Sequence, residues 1–500
     1  MFMTGIRKIL LNLAAALCLV FTGAVSSQTL NNVEIKSQAR LSRSELDAVL
    51  KTYMGKEITV STLQNLLNEL TAVYKSNGYL TAQAFFPEQE SYNGELKVVV
   101  ETTKLNEIRL NNLSSVNMST LNRLFGRTRR LQDRAVNTTE LNDNLLKVRD
   151  LNVFDMAGFF ENSNNGGADL ILDIKPKKRF SFQTFYDNYG NKTTGENRYA
   201  GVITCNDVSH HADRANLLLA TTDRKQNNFS FDYRVPVSSY LNVLGTDLSY
   251  SSYELGGDYR DLDIHGNVFN ADLYLEQPIY RSARTRFTGD IGGYYRSITD
   301  SIDAFEVKLK RHSNGVFTDF KLDNFFTTAK LANALRFNYG KLKNDDEYKL
   351  YEDKSYFITT LDGSVSFDVN KFFNISNSYN LQIASTSLDP SDKFTPCGAY
   401  GVRAFASNTA SADNGIFDDL KFTYKVKSYP TFNIYTDFMQ AHARNHENRK
   451  KESFYAVGVG TELAYRGVYV NASLNKAVGQ NREYAKDSVK LLVKFGYYMV

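Results

Sequence analysis

The sequence predicts an α+β amino-terminal region joined to an all-β membrane region. Two small mixed modules occupy 28–103 and 104–177, and a transmembrane antiparallel β-barrel of about sixteen strands occupies 178–500. Three observations predict this. Near residue 179 the spacing of apolar residues changes from helical to strict alternation. The chain holds 33 Phe and 31 Tyr but only 7 Pro, a composition suited to half-buried strands. Beyond residue 27 no stretch approaches the roughly 20 consecutive apolar residues of a membrane helix. The absence of Trp leaves Tyr and Phe to form the interfacial girdles.

Residues 1–27 read as a secretory leader: Arg7 and Lys8, an apolar run from Ile9 to Phe21, then Gly23-Ala24-Val25-Ser26-Ser27. Cys18 lies within the apolar run and is not placed as a lipid acceptor. The mature chain therefore leaves the cytoplasm and reaches Val33 within a few residues. Cys205 and Cys397 then share an oxidising compartment, where a bridge and two separate buried thiols both stand, because sequence gives no distance between them. A net charge of +4, with no basic stripe interleaved with stacking aromatics, sets nucleic acid aside as a partner.

The first module runs β-α-α-β-β. Its first strand is Val33 to Ser37. The first helix opens on a capping box, Ser42 with Glu45, aligns Leu46, Val49, Leu50 and Tyr53, and stops at Gly55. The second helix, Ser61 to Ser76, aligns Leu63, Leu66, Leu67, Leu70, Val73 and Tyr74. Strands Leu80 to Phe86 and Glu95 to Glu101 supply the sheet that both apolar faces need. The second module repeats the layout: a strand from Leu105 to Leu110, helices from Met118 and from Asn137, and strands Val153 to Phe160 and Ala168 to Ile174. Arg123, Arg127, Arg129, Arg130 and Arg134 cluster there, and a solvated basic face is the simplest reading.

In the barrel, Phe229, Phe231, Tyr233 and Val235 alternate with Ser230, Asp232 and Arg234. Phe269, Ala271, Leu273 and Leu275 alternate with Asn270, Asp272, Tyr274 and Glu276, and the same pattern holds around Tyr455 to Leu463. One face is apolar and the other polar. Connections are alternately short and long, with Pro236, Pro278 and Pro430 assigned to short turns because proline cannot donate to a ladder. The raw segment count is odd, and merging 304–323 into one stroke across Asn314-Gly315 brings it to about sixteen.

The long polar segment 389–416 carries Gly398-Ala399-Tyr400-Gly401-Val402-Arg403-Ala404-Phe405. A guanidinium cannot lose its proton or lie unpaired in hydrocarbon, so Arg403 must face water or a carboxylate. Alternation in the strand around Tyr435-Thr436-Asp437 puts Phe432, Ile434, Thr436 and Phe438 toward lipid and Asn433, Tyr435 and Asp437 toward the lumen. Asp437 is thus the expected partner of Arg403. The spacings His210-His211 and His442-x-x-x-His446 lack a third ligand and read as loop or turn histidines. No nucleophile has an assigned base and no glycine-rich phosphate cradle occurs, so neither an enzyme nor a cofactor is predicted.

Gly78-Tyr79-Leu80-Thr81-Ala82, then Phe86-Pro87-Glu88-Gln89 and Gly94-Glu95-Leu96, resemble the first polypeptide-transport-associated (POTRA) domain of two-partner secretion transporters, the TpsB family of haemolysin secretion/activation type. Thr102 stands where that family usually has Gly. The second module resembles the family's second POTRA domain, with Asn162-Ser163-Asn164-Asn165-Gly166-Gly167 in place of a Pro-Gly step. Tyr186-Asp187-Asn188-Tyr189-Gly190 with Thr194-Gly195-Glu196-Asn197-Arg198 is similar to the family's barrel entry. The resemblance assigns Val402, Arg403 and Phe405 to an in-folded loop motif, Asp437 to the acid engaging its Arg, and Asp413 with Gly415 to the Asp-x-Gly after the loop. Ala404 replaces the motif's Gly, and Phe438-Met439 lacks the Gly that follows Asp. The terminal Phe is also missing after Tyr498.

What the resemblance implies is an outer-membrane pore with periplasmic POTRA domains. They would recruit a large, unfolded secreted exoprotein (haemolysin, adhesin or contact-dependent toxin) through an edge near Tyr79, Leu80, Thr81, Phe86, Pro87 and Gln89. Outer-membrane lipid and the barrel-assembly machinery would be its other partners. An assembly factor for other barrels and a diffusion porin are the alternatives.

Overall fold

The computed structural model describes residues 28–89, 94–164, 166–348, 352–428, 430–485 and 489–499, so the leader read over 1–27 lies outside the described residues. They form two compact units. One gathers the described residues up to Asn106 with Asp133–Thr138 and Ser163–Ala168, and the other takes the remainder.

In the first unit, strands β1 (Asn32–Ser37), β2 (Gln83–Phe85) and β3 (Glu95–Glu101) form a sheet in the order β1-β3-β2. The central β3 is parallel to β1 and antiparallel to β2. Helices α1 (Arg43–Tyr53) and α2 (Val60–Ser76) lay their apolar faces on it. Leu66, Leu70 and Tyr74 of α2 meet Leu96, Val98 and Val100 of β3 in one core, and burying each such side chain contributes roughly 1.5–3 kcal/mol. The capping box is present: Ser42 Oγ accepts from the Glu45 N–H at 3.3 Å, and the Ser42 N–H donates to the Glu45 carboxylate at 3.0 Å. Bonds from the Ser42 hydroxyl and N–H hold the Glu45 carboxyl below its usual range. The box therefore stabilises the helix above that range and weakens as pH falls through the depressed pKa. Ser42→Ala should destabilise this module by about 1 kcal/mol, read as a lower urea midpoint for the fragment 28–103.

The strand expected over Leu80 to Phe86 is shorter, Gln83–Phe85. Tyr79 to Ala82 form a turn, closed by the Ala82 N–H on the Tyr79 carbonyl at 2.8 Å, and Pro87 cannot extend the ladder.

Strands β4 (Leu105–Asn112), β5 (Phe154–Asn162) and β6 (Ala168–Pro176), most of whose residues belong to the second unit, form a sheet in the order β4-β6-β5. Helices α3 (Met118–Leu124), α4 (Gly126–Arg129) and α5 (Thr138–Asp150) accompany it. Leu121, Leu124, Phe125, Leu170, Leu172 and Ile174 are buried. The arginine cluster is not simply a solvated face. Arg127 and Arg130 stack on the ring of Tyr240 in a barrel turn, and Arg123 donates to the Pro236 carbonyl at 3.2 Å.

The barrel strands are β7 (Phe180–Asp187), β8 (Arg198–Asn206), β9 (Arg214–Thr222), β10 (Asn227–Pro236), β11 (Val243–Glu254), β12 (Ile264–Arg281), β13 (Thr285–Ile302) and β14 (Val307–Phe325). They continue with β15 (Ala329–Asn344), β16 (Lys354–Asp368), β17 (Phe373–Ala384), β18 (Asn414–Ser428), β19 (Thr431–Arg444), β20 (Lys451–Tyr465), β21 (Val468–Val478) and β22 (Lys490–Met499). Each pairs with the next, and β22 closes antiparallel on β7, giving a closed ring of sixteen. Among the described residues no helix is long and apolar enough to cross a membrane.

The stroke merged over 304–323 is the single strand β14. Its Gly315 is no turn: a Cβ there would lie 2.6 Å from the Tyr294 ring. The same relation recurs on the lumenal face, where Tyr274 lies across from Gly245, Tyr356 from Gly340, Tyr435 from Gly460 and Tyr469 from Gly496. In each case a Cβ on the glycine would come within 2.6 Å of the ring. Pro278 lies inside β12 rather than in a turn, and the strand tolerates it through a register shift between Pro278 and Tyr280. The outer face is not wholly apolar either, since the register places Asn377 and Asp418 there, joined by hydrogen bonds of 2.8 Å.

Candidate functional site

The connection between β17 and β18 runs from 385 to 413, so residues 414–416, including Gly415, belong to β18 and not to the loop. Its tip turns tightly. Gly398 sits at φ +105, a conformation L side chains rarely adopt, and a Cβ on Gly401 would meet the Pro396 carbonyl oxygen at 2.4 Å. The Val402 N–H donates to that carbonyl at 2.9 Å. Val402, Ala404 and Phe405 are buried with Cys397, Phe417, Met439, Phe454 and Ala456, and the Phe405 ring meets Phe454 edge-on at 5.1 Å. This apolar packing against the wall of β18–β20 orients the one charged side chain of the motif.

Arg403 reaches the middle of β19. Its Nη2 donates to Asp437 Oδ2 at 2.5 Å, Nη1 to Asp419 Oδ2 at 3.0 Å and Nε to Asn475 Oδ1 at 3.4 Å. The Asp437 side chain is 0% exposed and that of Arg403 18%. Asp437, Gly458 and Asn475 are directly opposite one another on β19, β20 and β21. The missing side chain at Gly458 makes the space, because a Cβ there would lie 2.2 Å from Asp437 Oδ1. Asn475 is itself held by Ser473 Oγ at 2.9 Å. The guanidinium thus has two carboxylates for one positive charge, with an amide to fix its plane.

Both departures from the motif fit this geometry. Ala404 has no positive φ, so a side chain costs nothing there. Met439 is buried, and its sulfur accepts the Arg403 main-chain N–H at 3.5 Å.

Asp413 does not touch Arg403. Fully buried at the loop base, it accepts from the Leu388 N–H through Oδ1 and from the His446 N–H through Oδ2, both at 2.7 Å. Gly415 makes room for the Phe394 ring, which would otherwise lie 2.0 Å from a Cβ. These two residues fold the loop inward, while Arg403 and Asp437 anchor its far end.

Alternation around Asp437 left several partners unseen. Asp419 shares the lumenal face with Phe417 and Lys421, a period-two signal present in the sequence. Asn475 and Gly458 depend on register alone. On another wall, Arg296 of β13 pairs with Asp392, and Arg311 of β14 pairs with both Asp389 and Asp300. Tyr400 accepts from Arg198 Nη2 at 3.1 Å, and Arg198 is held by Asp187 through two bonds of 2.6 and 2.9 Å. Because β13 and β21 stand eight places apart in a ring of sixteen, they form opposite walls. The loop therefore crosses the lumen.

Cys397 and Cys205 are both free thiols. Cys397 is buried under the loop, whereas Cys205 shares the outer face with Ile203 and is only partly covered. In a Cys205→Ser background, Cys397 should resist maleimide in the wild-type loop and label at least about tenfold faster in Arg403→Ala, a tenfold change corresponding to about 1.4 kcal/mol.

The residues expected to bind a partner lie in the first module. Leu80 is exposed, at 60%, but Tyr79 is buried with its hydroxyl on the Arg40 main chain. Thr81 Oγ1 accepts from the Thr103 N–H at 3.0 Å, and Phe86 packs on the core. Gln89 is fully engaged, its amide bonding both Lys97 N–H and carbonyl at 2.7 Å. It continues the ladder of β3 where β2 stops. Pro87 is partly covered. No group of three metal-ligating side chains is found among the described residues.

Residues 166–464 match the haemolysin secretion/activation protein family ShlB/FhaC/HecB. The chain belongs to that family. Residues 28–103 match the POTRA domain of ShlB type. The heme/hemopexin transporter protein HuxB of Haemophilus influenzae strain 86-028NP is 30% identical over 468 residues, 87% of this chain and 81% of HuxB. The outer membrane transporter CdiB of Dickeya dadantii is 22% identical over 88% of this chain and 80% of its own length. The solved structure of CdiB from Escherichia coli superposes with a TM-score of 0.78 at 16% identity, covering 99% of this chain and 98% of CdiB, a likeness of fold. As a member of the ShlB/FhaC/HecB family, the protein is an outer-membrane barrel with its POTRA region in the periplasm.

Proposed function

We infer that the protein is an outer-membrane pore which takes an unfolded partner exoprotein from the periplasm and passes it to the cell surface. The observation that carries this reading is the loop 385–413, drawn across the lumen of a closed barrel and anchored at its tip by Arg403 between Asp437 and Asp419. The pair is covered while the loop lies on the wall, and both charges regain water when the loop leaves it, so the contact biases a two-state element. The loop is then a displaceable obstruction, and its withdrawal opens the path.

Recruitment proceeds by β-strand addition, whose main-chain bonds tolerate many sequences. The edge at β2 beside the exposed Leu80 receives the client. Its amino acids are few, so a groove alongside α2 extends it. The client is a large exoprotein such as a haemolysin, adhesin or contact-dependent toxin. The 30% identity to a protein named heme/hemopexin transporter makes a chain that handles heme or hemopexin the first to try. Lipid surrounds the barrel, and the barrel-assembly machinery inserts it. Folding of the client outside supplies direction without a nucleotide.

Deleting the gene should retain one large protein inside the cell while the other outer-membrane proteins keep their amounts, read by comparing culture medium and membrane fractions. General depletion of outer-membrane proteins would instead mark an assembly factor. Steady solute conductance with no exported client would mark a porin.

A further inference from the structure

At the periplasmic end of the barrel a cavity of about 640 Å³ is bounded by the ends of β9–β14 and by residues 147–156 of the second module. Its lining cations are Arg214, Arg234, Arg286, Lys321, Arg149, Lys177, Lys147 and Arg281, set against Asp150, Asp155, Glu276 and Asp323. Several of these cations are already matched. Arg281 binds Asp150 at 2.6 Å, Arg286 binds Asp323 at 2.8 Å, Lys321 binds Asp290 at 2.6 Å and Arg234 binds Glu276. Arg149 and Arg214 have no carboxylate partner among the described residues. Arg214 also stands directly opposite Arg234 on the neighbouring strand, and its buried Nε has no hydrogen-bond partner. Like charges facing each other across a strand pair are destabilising on their own, and an unsatisfied buried donor adds to that. An anion at Arg214 relieves both.

We propose that this cavity docks a carboxylate-rich segment of the exported polypeptide, a step that rests on the transport reading. The position favours a polypeptide over a lipid headgroup, because the cavity opens to the lumen and is separated from the acyl chains by the barrel wall. It favours side-chain carboxylates over phosphate, because most of its guanidinium groups are saturated and the free donors are spread over β9 and α5 rather than converging on one point. The next lumenal level sets the limit of the site. Asp232, Asp247 and Asp272 face each other across β10, β11 and β12, two residues farther from the periplasm than Arg234. An acidic segment is drawn to the mouth and turned back by that row, so it pauses there. Such a site must hold its client weakly enough to release it.

The test uses the full protein in non-ionic detergent with a fluorescein-labelled Glu-Ser repeat peptide, a Lys-Ser repeat and inorganic phosphate as probes. The acidic peptide should bind at low salt and release as salt rises. Arg214→Gln should weaken it at least about tenfold, Arg214→Lys should retain it, and Arg444→Gln at the other end of the barrel should leave it unchanged. Heat modifiability on gels verifies that each variant is folded. Equal binding of acidic and basic peptides, or an affinity indifferent to Arg214→Gln, would overturn the proposal. Displacement of the peptide by low millimolar phosphate would overturn it in favour of a phosphate site. Because the readout is binding, its failure leaves the transport reading standing, and that reading fails separately if deletion retains no exported protein.

Discussion

Arg403→Ala is expected to leave a folded, heat-modifiable barrel whose secretion of its partner falls at least tenfold and whose conductance in planar bilayers is raised and noisy. The side chain of Asp437 is fully covered and that of Asp419 is 12% exposed. Removing one member of a buried pair and leaving the other charged costs about 3–5 kcal/mol. Arg403 belongs to the loop and to no barrel strand, so that cost falls on the loop, which leaves the wall and lets water reach the carboxylates. Asp437→Ala should give the same phenotype, milder by the residual pairing of Arg403 with Asp419. Unchanged export in both variants would rule out the loop as a gate.

Gly458→Val should match Arg403→Ala in secretion although it alters no charge. A Cβ at this position overlaps Asp437 Oδ1, at 2.2 Å, and Asn475 Oδ1, at 2.8 Å, the two groups that flank the guanidinium. Valine is at home in a strand, so β20 should still pair and the barrel should still close. The expected result is a secretion defect of at least about tenfold with normal heat modifiability, the loss of a positioned ion pair rather than of the fold. Secretion at the wild-type level would show that the spacing of Asp437 and Asn475 is immaterial.

Much of this was legible in the residues. The capping box at Ser42 and Glu45 follows from local hydrogen-bonding preference. Alternation around Thr436 was enough to point Asp437 into the lumen, since a period of two leaves only two choices of face. What escaped notice was set by register or by space. Nothing near Asn475 announces that it lies two strands from Asp437, and Gly315 beside Asn314 looks like a turn until the Tyr294 ring is placed over it. The shortening of β2 had the same origin. Gln89 takes over two main-chain bonds of Lys97, a side chain doing the backbone's work, which no periodicity records. The arginines of the second module looked solvated because Tyr240 is far from them in sequence.

The tyrosines seated on glycines across the strand pairs have a bearing on what can pass. With no Cβ beneath it, each ring can lie along the wall instead of jutting into the bore, so these bulky side chains take little of its width. A travelling polypeptide then slides past flat aromatic panels edged with hydroxyls, which offer every side chain a little adhesion and none a deep hold. Adding a single methyl under one panel would tip it inward and narrow the way through.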